Sequence, residues 1–233
     1  MELTIDQALQ KGIEAHKAGQ IQEADKYYTA ILKAQPKHSD ANHNMGVLAV
    51  GLGKVQEALP FFKTALEANP NTTQFWLSYI DALIKLDRKD DAIKSFHRAV
   101  AVNPNFAHAY NNLGTTLVDL GRHDEAIENY KKAIVIYERE GKLKTAAKVF
   151  ESIGDLFKFR RNLKEAETHY KLAMKNHRKN KDLIGEARAM NLAGDLYMER
   201  GEFSPAGVWY KKGLALIKND PPHITKALLL ENL

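Results

Sequence analysis

Small and aromatic residues recur along this chain at fixed intervals. Two series of positions, occupied by small residues except for one isoleucine, advance in steps of 34, 34, 34, 40 and 40 residues. One series is Gly12, Gly46, Ile80, Gly114, Gly154 and Gly194; the other is Ala24, Ala58, Ala92, Ala126, Ala166 and Ala206. Four residues after each alanine comes an aromatic ring, at Tyr28, Phe62, Phe96, Tyr130, Tyr170 and Tyr210. Spacings of three or four keep residues on one helix face, and a fixed period of this size is typical of repeat proteins.

The pattern of residues within each repeat predicts two helices joined by a turn. The residues at the predicted turns are Gly19, Gly53, Asp87, Gly121, Arg161 and Gly201. In the first three repeats the second helix is followed by Pro36, Pro70 or Pro104, which cannot continue a helix. Thr4 and Gln7 fit a capping box, so the first helix is expected to begin directly after Thr4.

This pattern resembles the tetratricopeptide repeat (TPR) family, whose unit is 34 residues in two antiparallel helices. The resemblance is clearest from Ala109 to Gly114, followed by Gly121, Ala126, Tyr130 and Ala133. It covers about residues 5–219 and implies an all-α fold, a right-handed α-solenoid of antiparallel helix pairs. The chain is expected to be a single array with repeats at about 5–38, 39–72, 73–106, 107–146, 147–186 and 187–220.

The sequence departs from the family pattern at several points. Ile80 stands where a small residue is expected, Gly213 stands for alanine, and repeats four to six lack the closing proline. Because the last two spacings are 40 residues, we expect helices about two turns longer there.

The end of the chain allows two interpretations. Residues 219–222 contain two prolines that break the chain, and residues 224–233 predict a further apolar helix. Residues 221–233 are either a helix that caps the sixth repeat or the start of a truncated seventh repeat, in which case the chain is a fragment of a longer protein.

Composition excludes several classes of protein. The chain has no cysteine, so it has no disulfide framework and no thiolate metal site. It contains no apolar run long enough to span a membrane, and its start does not match a signal peptide. We therefore expect a cytoplasmic protein.

The charge is distributed unevenly. Residues 1–130 carry a net charge of −3 and residues 131–233 carry +8. Much of the excess lies at Lys158, Arg160, Arg161, Lys164, Lys171, Lys175, Arg178, Lys179 and Lys181. These residues either solvate the ends of long helices or attract an acidic partner or nucleic acid. Nucleic-acid binding is not favoured, because the aromatic residues occupy core positions instead of exposed stacking positions.

The resemblance implies a groove that holds a partner, lined by the first helix of each repeat. Transferred position by position, the candidate contacts are Leu9, Ile13, His43, Asn44, Val47, Leu77, Asp81, His108, Asn111, Asn112, Thr115, Asp155, Asn191 and Asp195. The early repeats supply mainly apolar groups, and the late repeats supply amides, which bind an extended backbone, and acids, which favour a basic peptide.

The sequence argues against one function of the family, the binding of chaperone C-terminal tails. That function needs Lys and Asn in one repeat, Asn in the next, and Lys and Arg in the third. The corresponding residues here are Leu9, Ile13, Asn44, Gln74 and Ser78, of which only Asn44 fits. A bound carboxylate would therefore lack its charge-assisted hydrogen bonds.

No motif in the sequence predicts catalysis. Nine histidines are scattered without an HExxH pair, and no glycine-rich phosphate loop occurs, so we expect no metal, cofactor or enzymatic activity. The leading hypothesis is a scaffold that binds a peptide or partner protein. Two alternatives are the substrate-recruiting region of a larger enzyme, such as a glycosyltransferase, and self-assembly into homo-oligomers through Leu228, Leu229 and Leu230.

Overall fold

A computed structural model of the chain describes residues 3–219, 221 and 224–232, and these residues form thirteen α-helices and no strand. Contacts divide the chain into two compact units, an N-terminal unit (residues 1–109) and a C-terminal unit (residues 110–233). The division falls within the seventh helix, and each unit is described separately.

The N-terminal unit contains six helices of 13 or 14 residues. They are α1 (Ile5–Lys17), α2 (Ile21–Ala34), α3 (Ser39–Gly51), α4 (Val55–Ala68), α5 (Thr73–Lys85) and α6 (Lys89–Val102). Each helix contacts the next, and the first helices of successive repeats also contact each other, α1 with α3 and α3 with α5. The predicted capping box is present, since Thr4 Oγ1 accepts from the Gln7 amide at 3.2 Å.

The C-terminal unit contains longer helices. They are α7 (Ala107–Asp119, shared with the N-terminal unit), α8 (His123–Arg139), α9 (Leu143–Phe159), α10 (Leu163–Lys179), α11 (Leu183–Glu199), α12 (Phe203–Leu216) and α13 (Ile224–Glu231). Helices α8 to α11 each have 17 residues, so the extra length is about one turn in each helix and about two turns in a pair. Helices α9 and α11 begin four residues before the predicted repeat starts at 147 and 187.

All six predicted turn residues adopt the left-handed backbone conformation, with φ between 56° and 76°. At Asp87 and Arg161 this conformation costs about 1 kcal/mol more than at glycine, because the side chain crowds the carbonyl oxygen. The predicted prolines also act as expected, since α2, α4 and α6 each end two residues before Pro36, Pro70 or Pro104.

The two helices of a repeat approach closely where glycine meets an aromatic ring. A Cβ atom added to Gly46 would lie 2.6 Å from the ring of Phe62, closer than any real side-chain contact. The same steric conflict recurs at four other pairs: Gly12–Tyr28, Gly114–Tyr130, Gly154–Tyr170 and Gly194–Tyr210. The fixed spacing in the sequence therefore follows from packing, because the buried ring occupies the space that a side chain at the glycine would need.

Helix α13 packs against α11 and α12, as the first helix of a following repeat would. Leu229 is fully buried in a cluster with Ala187, Ala206, Tyr210 and Ile217. This arrangement is compatible both with a cap and with the start of a further repeat. Asp220, Pro222 and Leu233, which belong to these predicted features, lie outside the described residues.

Candidate functional site

The first helices of the C-terminal unit share a polar residue at the ninth position of the repeat, and each such residue meets a tyrosine hydroxyl from the second helix. The pairs are Thr115–Tyr130 at 3.1 Å, Asp155–Tyr170 at 2.6 Å and Asp195–Tyr210 at 2.9 Å. Each tyrosine ring lies against the preceding glycine, which directs its hydroxyl toward the exposed face of α7, α9 and α11. We call this face the first-helix groove.

The two aspartates of this groove have altered acidity. Burial raises the pKa of Asp155 and of Asp195, and the hydrogen bond from the tyrosine hydroxyl partly opposes that effect. The pKa values of Tyr170 and Tyr210 are raised as well, by burial first and then by their aspartate partners. Each pair therefore keeps its proton on the tyrosine and presents a carboxylate to the groove.

A cavity of about 400 Å³ opens in the groove where α7, α8 and α9 meet. Its lining, which defines the Phe159 cavity, is Val118, His123, Tyr130, Ser152, Asp155, Leu156 and Phe159. Phe159 is 73% exposed at the end of α9, and the His123 ring meets it edge-on at 5.3 Å between centroids. An aromatic side chain of this size left in water is a candidate contact for a partner.

The charges beside this cavity are partly neutralised within the chain. Lys158 and Arg161 both pair with Glu199, at 3.0 Å and 3.3 Å. Asp155 has no such cation within ion-pair distance among the described residues, so it is the acidic group that the cavity offers to a ligand.

The three asparagines of the C-terminal unit that are predicted to contact a ligand differ in their availability. Asn112 is exposed, and Asn111 is half-buried and donates to the Asn112 side-chain oxygen at 3.2 Å. Asn191 is only 8% exposed, and its side-chain oxygen already accepts from Asn232 at 3.0 Å. Asn111 and Asn112 thus lie on the groove surface, whereas Asn191 connects α11 to the chain that follows α13.

In the N-terminal unit, the predicted contact His43 belongs to the packed interior. It is 9% exposed, its ring stacks on Phe75 at 4.7 Å, and its Nε2 lies 2.9 Å from the Ser78 hydroxyl. Burial lowers the pKa of His43, so the ring is held neutral.

The other predicted contacts of the N-terminal unit do not form one site. Ile13 and Asn44 line a cavity of about 250 Å³ with His16, Lys17 and Tyr28. Leu9 packs against two core clusters, and Asp81 pairs with Lys85 at 2.9 Å. These two residues and the remaining candidates are half-buried or exposed; the remaining candidates are Val47, Leu77 and His108.

Three residues of the cavity lie outside the groove positions transferred from the family, namely His123, Tyr130 and Leu156. They belong to a second helix or to positions between the groove positions of the family. A sequence signal did exist for the three hydroxyl contacts, because in repeats four to six a tyrosine follows Thr115, Asp155 or Asp195 by fifteen residues. Within the described residues, no group of three His, Asp or Glu could hold a metal ion. Nor does the described part of the chain contain a helix with the length and hydrophobicity that a membrane span requires.

Comparisons with known proteins agree with this architecture. Models of the tetratricopeptide repeat match residues 15–76, 49–113 and 105–179. No curated protein matches the chain significantly.

Several solved structures are similar in fold. A structure of the MamA protein is 25% identical, with a TM-score of 0.65 over 76% of this chain and 94% of that one. YrrB, described as a TPR protein with an unusual peptide-binding site, is 17% identical, with a TM-score of 0.60 over 88% of this chain and 96% of that one. PilW, described as a type IV pilus biogenesis factor, is 17% identical, with a TM-score of 0.65 over 99% of this chain and 100% of that one.

Proposed function

Because the chain belongs to the tetratricopeptide repeat family, we propose that it is a non-catalytic scaffold that binds a peptide segment of a partner protein in the first-helix groove. The family and its similar structures support a protein-interaction role in general. The observation that carries the finer proposal is the Phe159 cavity, a concave, partly apolar site beside an unneutralised carboxylate.

The chemistry of the cavity indicates what the segment carries. Val118, Leu156 and Phe159 offer apolar contact to one side chain of the ligand. Asp155 at the edge favours a neighbouring lysine or arginine, since a charge-assisted hydrogen bond is about twice as strong as a neutral one. Asn112 and Asn111 lie on the same helix as Val118 and can bind the ligand backbone through their amides.

YrrB supports the proposal by analogy only. Its description assigns a peptide-binding site to that protein, and at 17% identity the likeness to this chain extends to the fold. The residues of this chain that would bind a peptide are argued from its own cavity.

A selection experiment tests the proposed function. A random peptide library is selected against the immobilised full chain, and an enriched peptide is then titrated by fluorescence anisotropy. We expect enriched peptides to share an apolar residue next to a basic one, and Phe159→Ala to weaken binding about tenfold, as loss of one aromatic anchor does. Phe203→Ala is the matched control, because Phe203 is similarly exposed, at 67%, but lies on α12 away from the cavity.

Two results would contradict the proposal. Either no peptide is enriched over an unselected library, or the enriched peptide binds Phe159→Ala and Phe203→Ala equally well.

One observation favours a second candidate function, self-assembly through α13. Ile224, Leu228 and Leu230 are 80%, 42% and 57% exposed, whereas Leu229, predicted to take part in self-assembly with Leu228 and Leu230, is fully buried. The exposed residues offer an apolar face to a second copy of the chain. Light scattering across a concentration series tests this, and a strict monomer at the highest concentration would exclude it.

A further inference from the structure

We propose that a cleft between α10, α11 and α12 is a second binding site, which takes an acidic peptide segment carrying an apolar side chain. The cleft has a volume of about 450 Å³ and shares no lining residue with the Phe159 cavity. Volumes of this size, about 300 to 1,000 Å³, are typical of ligand sites in proteins.

The floor of the cleft is apolar. Met174 and Met190 come from a core cluster of α10 and α11, and Trp209 of α12 packs against that cluster. Methionine is flexible and polarisable, so a floor with two methionines adapts to aliphatic or aromatic side chains of different shapes. The floor therefore accommodates one apolar side chain of a ligand.

The rim of the cleft is basic. The described residues that line it include four cations and no carboxylate; the cations are Lys171, Lys175, Arg178 and Lys212. Two of them are neutralised from outside the cleft, because Lys171 donates to Glu167 at 2.7 Å and Arg178 donates to Glu186 at 2.8 Å.

The other two cations remain available to a ligand. Among the described residues, no carboxylate lies within 4.0 Å of the ammonium group of Lys175 or Lys212. Both residues are exposed, and Lys179 and Lys211 add further positive charge on the same two helices. The net field at the cleft is therefore positive, which attracts acidic groups and raises their association rate.

The arrangement fits an acidic peptide better than a nucleic acid. The Lys212 ammonium lies 5.2 Å from the centre of the Trp209 ring, which occupies one ring face that a base would need for stacking. The methionine floor has no role in binding phosphates. An aspartate or glutamate on each side of one apolar residue, in contrast, uses both the rim and the floor.

Binding to defined probes tests this proposal. The first probe is a short fluorescein-labelled peptide in which one leucine stands between glutamates; in the second, glycine replaces the leucine. Each is titrated by anisotropy against the full chain and against the double variant Lys175→Glu/Lys212→Glu. Lys131→Glu/Lys164→Glu is the control, because it changes the total charge equally at exposed lysines outside the cleft.

We expect the leucine peptide to bind the unmodified chain, and binding to weaken about tenfold in the cleft variant and less than about twofold in the control. The glycine peptide should bind about tenfold more weakly than the leucine peptide, since it leaves the floor unfilled. Both variants should remain folded, because the substituted lysines are exposed and form no ion pair within the described residues. Circular dichroism checks this.

Three outcomes would overturn the proposal. The leucine peptide fails to bind the folded chain, or the control variant weakens binding as much as the cleft variant does, or a single-stranded DNA oligonucleotide of equal charge displaces the peptide and binds more tightly. The last outcome would identify the cleft as a nucleic-acid site. None of these results depends on whether the Phe159 cavity binds a peptide.

Discussion

The two units of the chain share one repeat framework but close their repeats in different ways. In the N-terminal unit each repeat ends at a proline, and in the first two repeats a side chain of the next helix donates to the proline carbonyl: Asn42 to Pro36 at 2.9 Å and Trp76 to Pro70 at 2.7 Å. In the C-terminal unit the 40-residue repeats have no such proline, and the additional helical turns carry polar side chains.

These polar side chains form a buried layer around His177, which is fully buried near the end of α10. Its ring nitrogens lie 3.0 Å from Glu151 Oε1 and 3.1 Å from Asp182 Oδ2. Glu151 also accepts from Arg188 at 2.8 Å, and Lys144 pairs with Asp182 at 3.1 Å. The layer thereby connects α9, α10 and α11 through charged groups.

Two further contacts extend the layer. Asn176 donates to Glu138 at 2.8 Å, and Arg178 donates to Glu186, which is 2% exposed. Buried charges cost desolvation energy and are tolerated only when each has partners, so such a layer fixes one arrangement of helices more than it adds stability. In the 40-residue repeats, therefore, a network of mutually dependent polar side chains takes the place of the proline that ends the shorter repeats.

The largest predicted effect comes from His177→Ala. This change leaves two carboxylates that are 11% exposed facing an empty space, so we expect a loss of about 3 kcal/mol in the free energy of unfolding. Urea unfolding measures the loss, and hydrogen exchange locates it, with faster exchange expected in α9 to α11 and not in α1 to α6. His97→Ala, at an exposed histidine of α6, is the control. Equal stability of the two variants would refute the importance of the layer.

A smaller effect is expected from Gly185→Ala. An added Cβ would collide with the His177 ring and with Asp182, so the ring has to move and about 2 kcal/mol is lost. Gly207→Ala is the matched control on α12, where the added Cβ meets nothing within 4 Å and about 0.5 kcal/mol is gained. Thermal unfolding compares the two variants, and a loss of similar size in both would show that helix flexibility, not His177, explains the result.

Tyrosine-to-phenylalanine changes should affect stability differently in the two units. Tyr170→Phe removes the hydrogen bond to Asp155 and should cost about 1 kcal/mol. Tyr28→Phe should be neutral or slightly stabilising, because the buried Tyr28 hydroxyl has no hydrogen-bond partner among the described residues. The position that Asp155 holds in its repeat is occupied here by Ile13, which cannot accept a hydrogen bond. Urea unfolding measures both variants; a Tyr28→Phe loss as large as that of Tyr170→Phe would contradict the comparison.

The smallest predicted effect is a pH dependence due to Asp155. Its raised pKa means that the folded protein binds this proton more tightly than the unfolded chain does. Stability should therefore fall as the pH rises from about 4, the ordinary aspartate pKa, through the raised value. Asp155→Asn should remove that part of the slope while keeping an acceptor for Tyr170. Unfolding in urea across this pH range tests it, and an unchanged slope in the variant would argue against the raised pKa.

The sequence was sufficient to predict the features that recur in every repeat. Gly46 and Phe62 are sixteen residues apart and in contact, so the spacing itself reports the packing. The polar layer could not be predicted in this way. Several of its contacts join residues 26 to 38 positions apart and do not recur in other repeats, such as His177 with Glu151 and Asn176 with Glu138.

The placement of the candidate groove residues was predicted in outline but not in detail. Family positions placed Asp155, Asn111 and Asn112 on the exposed face, where the structure has them. They could not show that His43 packs under Phe75 or that Asn191 is bonded to Asn232, since both depend on which neighbour a side chain meets. The Phe159 cavity also depends on His123 from a second helix, which a rule based on first helices omits.

Hydrogen–deuterium exchange of the full chain, with and without a library-selected peptide, shows whether the first-helix groove of the C-terminal unit binds the partner. Exchange should slow in α7 and α9, around the Phe159 cavity, and remain unchanged in α1 and α3. Protection confined to α1 and α3, or no protection at all while the peptide is bound, would exclude binding in this groove.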